Sequence, residues 1–162
     1  MTSRTTLKAL FLGFLIFLFD AALPGQASLL NLPFLYTVLL AMLYGVTGGL
    51  LGGIWSGVLV GVLSPEPLTK VVFFYAAFGY LVPLILGRKD REGISRQLWS
   101  ALLTATLFTL SGAALFSPGR LSSLGSSALF PLLSHTAGIM ILFYLIPKLT
   151  SGSEELARRI AT

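Results

Sequence analysis

The chain has no cysteine among its 162 residues. Disulfides, thiolate nucleophiles and cysteine-ligated metal or iron–sulfur centres are therefore excluded. Histidine occurs once, at His135, so a two-histidine metalloprotease motif is absent. A serine nucleophile needs a base, and no carboxylate lies within helical reach of His135. The sequence thus predicts no enzyme, no catalytic residue, no cofactor and no metal site. Charge is scarce as well: 10% of residues are Asp, Glu, Lys or Arg, against 55% hydrophobic, with a mean hydropathy of +0.88. That balance points to a bilayer as solvent. No polar stretch exceeds roughly a dozen residues, well short of the usual domain minimum of about 50, so residues 1–162 read as one transmembrane domain.

What is present is a series of apolar runs. The first, 7–23, follows a basic start and resembles the core of a signal peptide. Asp20 near its end and the lack of an A-x-A site before Gln26 favour a retained span instead. The stretch 32–63 is apolar throughout and as one helix would be roughly 48 Å long, against a hydrocarbon core of about 30 Å. Runs at 71–86, 98–116 and 128–146 complete the set.

The basic residues decide how 32–63 divides. With two spans there, Arg4, Lys8, Arg88, Lys89, Arg91, Arg96, Lys148, Arg158 and Arg159 share one side, and only Lys70 and Arg120 lie opposite. With one span the better orientation separates them seven to four. The first division matches the excess of Lys and Arg in cytoplasmic loops. The expected fold is therefore an all-α bundle of six transmembrane helices at 7–23, 32–45, 48–63, 69–86, 98–116 and 128–147. A cytoplasmic loop covers 87–97 and a cytoplasmic tail 148–162, with both termini cytoplasmic. The net charge of +5 is accounted for by anionic membrane lipid, without nucleic acid.

Within 32–63, Gly45, Gly49, Gly53, Gly57 and Gly61 recur at every fourth position. Glycine inside a helix costs roughly 1 kcal/mol relative to alanine, so bare backbone must serve a purpose. Phosphate cradles built on glycine need a strand–turn–helix context that this chain lacks. Close approach of a second helix is the remaining reading: Gly45 and Gly48 belong to a reversal, and Gly49, Gly53, Gly57 and Gly61 form a packing stripe, within the chain or against a partner. Steps of four residues advance about 400°, so the stripe drifts and suits an inclined neighbour.

Ion and proton carriers keep ionisable groups at mid-membrane, yet Asp20, Glu66, Asp90, Glu92, Glu154 and Glu155 all fall at span ends or in loops. His135 lies inside the last span, where hydrogen bonding to a neighbouring helix is the usual role. In the tail, Ser151 precedes Glu154 at capping-box spacing. Trp99 has the placement of an interfacial anchor.

The segment from Pro33 to Arg88 has a proline opening helix two, a glycine-rich helix three, a short outer loop and a helix with a Gly-Tyr pair. In these features it resembles the rod-shape-determining protein MreD family. The matching positions are Pro33, Gly49, Gly53, Gly57, Pro67, Gly79 and Tyr80. Where members of that family often carry an aspartate at the outer end of helix three, this chain has Gly61 and Ser64. The resemblance implies a non-enzymatic inner-membrane scaffold of the bacterial cell-elongation complex. Such a scaffold binds an MreC-like protein and, through the complex, the RodA glycosyltransferase and its transpeptidase partner. It also implies a bundle similar to the substrate-binding subunits of energy-coupling-factor transporters. That similarity supplies the alternative reading, a vitamin-binding transporter subunit with a polar pocket near the outer side.

Overall fold

The computed structural model describes residues 3–22, 31–86, 94–116 and 129–146. The expectations for 87–93, for Arg120 and for the tail with Ser151 and Glu154 lie outside the described residues. Every described element is a helix: α1 Ser3–Ala22, α2 Leu32–Leu63, α3 Leu68–Leu86, α4 Ile94–Phe116 and α5 Leu129–Ile146. By length and composition α2 to α5 can each cross a membrane, and the apolar part of α1 covers Leu10–Phe19. Large apolar side chains on every element face outward, among them Phe11, Val62, Phe73, Leu103 and Leu133. Such a surface fits a membrane-embedded protein.

The elements number five, not the expected six, because 32–45 and 48–63 are not separate helices with a linker between them. They form one element in which a single residue, Gly45, departs from helical backbone with φ 66° and ψ −149°. That conformation is essentially restricted to glycine, so one residue turns the chain without a loop. A straight helix would hold Pro33 and Ser56 about 35 Å apart. Instead the Ser56 hydroxyl donates to the Pro33 carbonyl at 2.9 Å and lies 3.1 Å from the Thr37 hydroxyl. The arms 32–44 and 46–63 therefore run antiparallel in contact. Gly48, expected to help the reversal, keeps a negative φ; Gly45 is the one positive-φ residue among those described. Ile94–Phe116 likewise begins before the expected position 98, so 94–97 are helical rather than loop.

The second arm is the centre of the bundle because it is bare on two sides. Gly48 and Gly52 face the first arm: a methyl group on Gly52 would meet Leu40 Cδ1 at 3.0 Å and Thr37 Cα at 3.3 Å. Gly49, Gly53, Gly57 and Gly61 face α3, opposite Gly79, Tyr75, Val72 and Leu68 in turn. The descending partner numbers record an antiparallel register. The connection from Ser64 to Pro67 holds it: the Glu66 amide donates to Ser64 Oγ at 3.1 Å, and Pro67 O accepts from Lys70 N at 2.9 Å. Connections this short join helices that are neighbours.

The closest approach is reciprocal. A Cβ on Gly49 would overlap Gly79 O, and a Cβ on Gly79 would overlap Gly49 O. Each Cα–H thus faces the other backbone's carbonyl, a contact worth about 0.5–1 kcal/mol. Pro83 lies inside α3 and has no N–H for the carbonyl four residues back, which belongs to Gly79. The carbonyl released by Pro83 is the one turned toward Gly49.

The outer elements attach through larger groups. Gly13 of α1 sits against the Tyr36 ring and Trp55, and Trp55 Nε1 donates to Leu10 O at 3.0 Å. On the other side Phe34 stacks on Phe108 of α4 with ring centroids 3.8 Å apart. Ala101, Ala105 and Ile139 are fully buried there.

Candidate functional site

Toward the bundle end opposite Gly45, Asn31, Tyr75 and His135 form a polar network between elements. Asn31 starts it. As the N-cap of α2 its Oδ1 accepts from Phe34 N at 2.9 Å, the standard way to satisfy a first-turn amide. The same side chain then joins two elements: Nδ2 donates to the Tyr75 hydroxyl of α3 at 2.8 Å, and that hydroxyl lies 3.1 Å from Oδ1. The Asn31 backbone N–H donates to His135 Nε2 of α5 at 3.3 Å. One residue thus ties α2, α3 and α5 together. An accepting Nε2 requires the neutral imidazole with its proton on Nδ1, and Nδ1 is buried with no hydrogen-bond partner. The imidazole stands edge-on to Phe34 and Phe108, at centroid distances of 5.5 and 5.7 Å.

Beside this network is a cavity of about 380 Å³. Its walls include the buried residues Val71, Phe74 and Phe108, its far side includes Gly112 and Phe116 of α4, and Asn31, Tyr75, Ser64 and Glu66 supply polar atoms. The wall rings hold one another: Phe74 meets Phe108 at 5.2 Å and Phe116 at 5.1 Å. At the rim, Lys70 Nζ is 2.8 Å from Glu66 Oε2 and 5.1 Å from the centre of the Phe116 ring. Both rim side chains are about a third exposed, so the pair adds little to stability. It does leave the rim electrically balanced.

The residues singled out by sequence divide between two places. Gly49, Gly53, Gly57 and Gly61 lie along the α2–α3 seam, with Gly79 as the opposing glycine. Pro33 and Pro67 serve helix starts: Pro33 follows the first residue of α2, and its carbonyl collects the Thr37 and Ser56 hydroxyls. Tyr80 points outward, 49% exposed. None of these lines the cavity. Asn31, Tyr75, Phe74, Phe108 and Gly112 do, and sequence reading did not assign them to a site. Asn31 before Pro33 carries an N-cap signal, but its partners are 44 and 104 residues away.

Among the described residues no group of three or more His, Asp or Glu is placed to hold a metal ion. Among the described residues the buried polar ones are Thr37, Ser56, Thr104, His135 and Thr136, with no Asp, Glu, Lys or Arg among them. Fold and site together define a helical membrane-type bundle with a polar network toward one end, beside an aromatic-walled cavity. No family model, curated protein or solved structure matches the chain.

Proposed function

We propose that this protein is a non-enzymatic scaffold of the bacterial inner membrane, acting in the cell-elongation complex through an MreC-like partner. The observation that carries the reading is how the interior polar groups are used. Asn31, Tyr75, His135 Nε2, Thr37 and Ser56 hydrogen-bond helix to helix, and no buried carboxylate or ammonium among the described residues offers a route for ions or protons. A bundle joined this way presents fixed outer surfaces, as a docking platform requires. The MreD resemblance of 33–88 supplies the identity of the complex.

In the same reading each arm of α2 crosses the membrane, giving six passages from five elements. The Gly45 bend then lies on the cytoplasmic side with both termini, and Ser64 to Pro67 lie outside, which leaves nine of eleven basic residues cytoplasmic. The first arm is only about 20 Å long, short of a hydrocarbon core of about 30 Å, so this passage requires the bilayer to thin locally around it. The test is affinity purification of the full chain from its native membrane in mild detergent, with mass spectrometry of proteins and small molecules. Recovery of an MreC-like or RodA-like protein is expected. Recovery of an ATPase module with a bound vitamin, and neither of those proteins, overturns the scaffold in favour of a transporter subunit.

A further inference from the structure

We infer that the cavity beside Asn31 is a binding site for a small, uncharged, planar heteroaromatic molecule carrying a hydrogen-bond donor and an acceptor. The inference stands on the cavity and does not depend on the scaffold reading. Size comes first: about 380 Å³ lies within the range of roughly 300–1,000 Å³ typical of small-molecule sites. Shape comes second. Val71, Phe74 and Phe108 are each at most 6% exposed, and Phe108 is clamped between the Phe34 stack and Phe74. The walls are therefore fixed before anything enters, which lowers the cost of binding.

Gly112 is the third observation. Gly49, Gly53, Gly57 and Gly79 have opposing backbone at the place where a Cβ would stand, but at Gly112 the nearest atom is Phe74 Cζ at 3.4 Å, an ordinary contact. Helix packing does not require glycine at this position, yet a helix-interior glycine costs about 1 kcal/mol. Bare backbone on the cavity wall gives a flat ligand room against α4.

The polar atoms define the ligand's functional groups. Asn31 Oδ1 is occupied by Phe34 N and the Tyr75 hydroxyl, while Nδ2 has two hydrogens and uses one on Tyr75. Its second hydrogen calls for an acceptor. Glu66 meets Lys70 through Oε2, which leaves its other carboxylate oxygen able to accept from a ligand donor at the rim. Glu66 and Lys70 neutralise each other at 2.8 Å and leave no net charge at the rim for an ion to meet, so a neutral ligand fits best.

The test uses the full chain in lipid nanodiscs and 7-azaindole as probe, a flat bicycle with one pyrrole-type N–H donor and one pyridine-type nitrogen acceptor, followed by its fluorescence; empty nanodiscs correct for partitioning into lipid. Saturable binding above the empty-disc signal is expected. Gly112→Leu should weaken it at least about tenfold by filling the cavity, and Glu66→Leu at the rim should do the same by removing the acceptor of a charge-assisted bond. Indole, which keeps the N–H but lacks the pyridine-type nitrogen acceptor, should bind more weakly than 7-azaindole. Absence of saturable binding to the wild-type chain overturns the site. Unchanged affinity in Glu66→Leu, whose substitution lies outside the helices, overturns the placement even if Gly112→Leu fails to fold. Equal affinity for indole and 7-azaindole overturns the assignment of the acceptor-reading group.

Discussion

Glycines that look alike in the sequence sit in three different environments, and their substitutions separate accordingly. At Gly49 and Gly79 a methyl group meets opposing backbone, which cannot move aside as a side chain can. Gly49→Ala and Gly79→Ala should each destabilise by about 1–3 kcal/mol or more, as overpacking does. At Gly112 the added methyl reaches only an ordinary contact with Phe74, so Gly112→Ala should be neutral or stabilising by up to about 1 kcal/mol. Thermal unfolding of the three variants in one detergent checks both signs, and a Gly49→Ala protein as stable as wild type would remove the basis for the seam. Ser56 tests the other side of the same arm. Its hydroxyl reaches Pro33 O across the hairpin, and Ser56→Ala should cost between about 0.6 and 1.7 kcal/mol, the average and upper values for hydrogen bonds between membrane helices.

At the scale of elements, what was legible in the sequence was local. The four-residue schedule from Gly49 to Gly61 announced a seam, and Gly45 announced a reversal, because both are patterns within one stretch of chain. The companion row of Gly48, Gly52 and Ser56 was written in the same letters, as the doublets Gly48-Gly49 and Gly52-Gly53, but a reading tuned to one stripe passes over it. The number of elements differs from the expected six because a glycine at φ 66° turns the chain within one residue, leaving no polar linker to read. The site was illegible for another reason. Phe74, Phe108, Asn31 and His135 come from four elements, and nothing in an apolar helix tells which phenylalanine faces a cavity and which faces lipid. The hairpin itself is open to a direct check, since the chain has no cysteine. Thr37→Cys with Ser56→Cys places two thiols where hydroxyl oxygens are now 3.1 Å apart, and mild oxidation should join them. A continuous helix would hold the same positions about 29 Å apart, so the absence of the disulfide would argue for an unbroken α2.

For the whole molecule, the hairpin determines topology. If α2 crossed the membrane once, Leu32 and Pro65 would emerge on opposite sides. Reversal at Gly45 brings both to one side, with Thr47 and Ser95 on the other. Each partition follows from the contacts: Asn31 meets Tyr75 and His135 near the starts of α3 and α5, while Gly49 meets Gly79 toward the opposite end. Single cysteines at these four positions, labelled in intact cells with a membrane-impermeant maleimide, distinguish the alternatives without a cysteine-free background having to be built. Leu32→Cys and Pro65→Cys should react from outside, and Thr47→Cys and Ser95→Cys only after the membrane is opened. The sidedness expected is that of the proposed arrangement, set by the excess of Lys and Arg beside the termini and the α3–α4 connection in the sequence. Labelling of Leu32→Cys and Pro65→Cys from opposite sides would refute the six-passage path. Labelling of both from the cytoplasmic side alone would preserve the hairpin but invert the protein, moving the cavity and its Glu66–Lys70 rim to the cytoplasmic face, where an extracytoplasmic partner could not reach it.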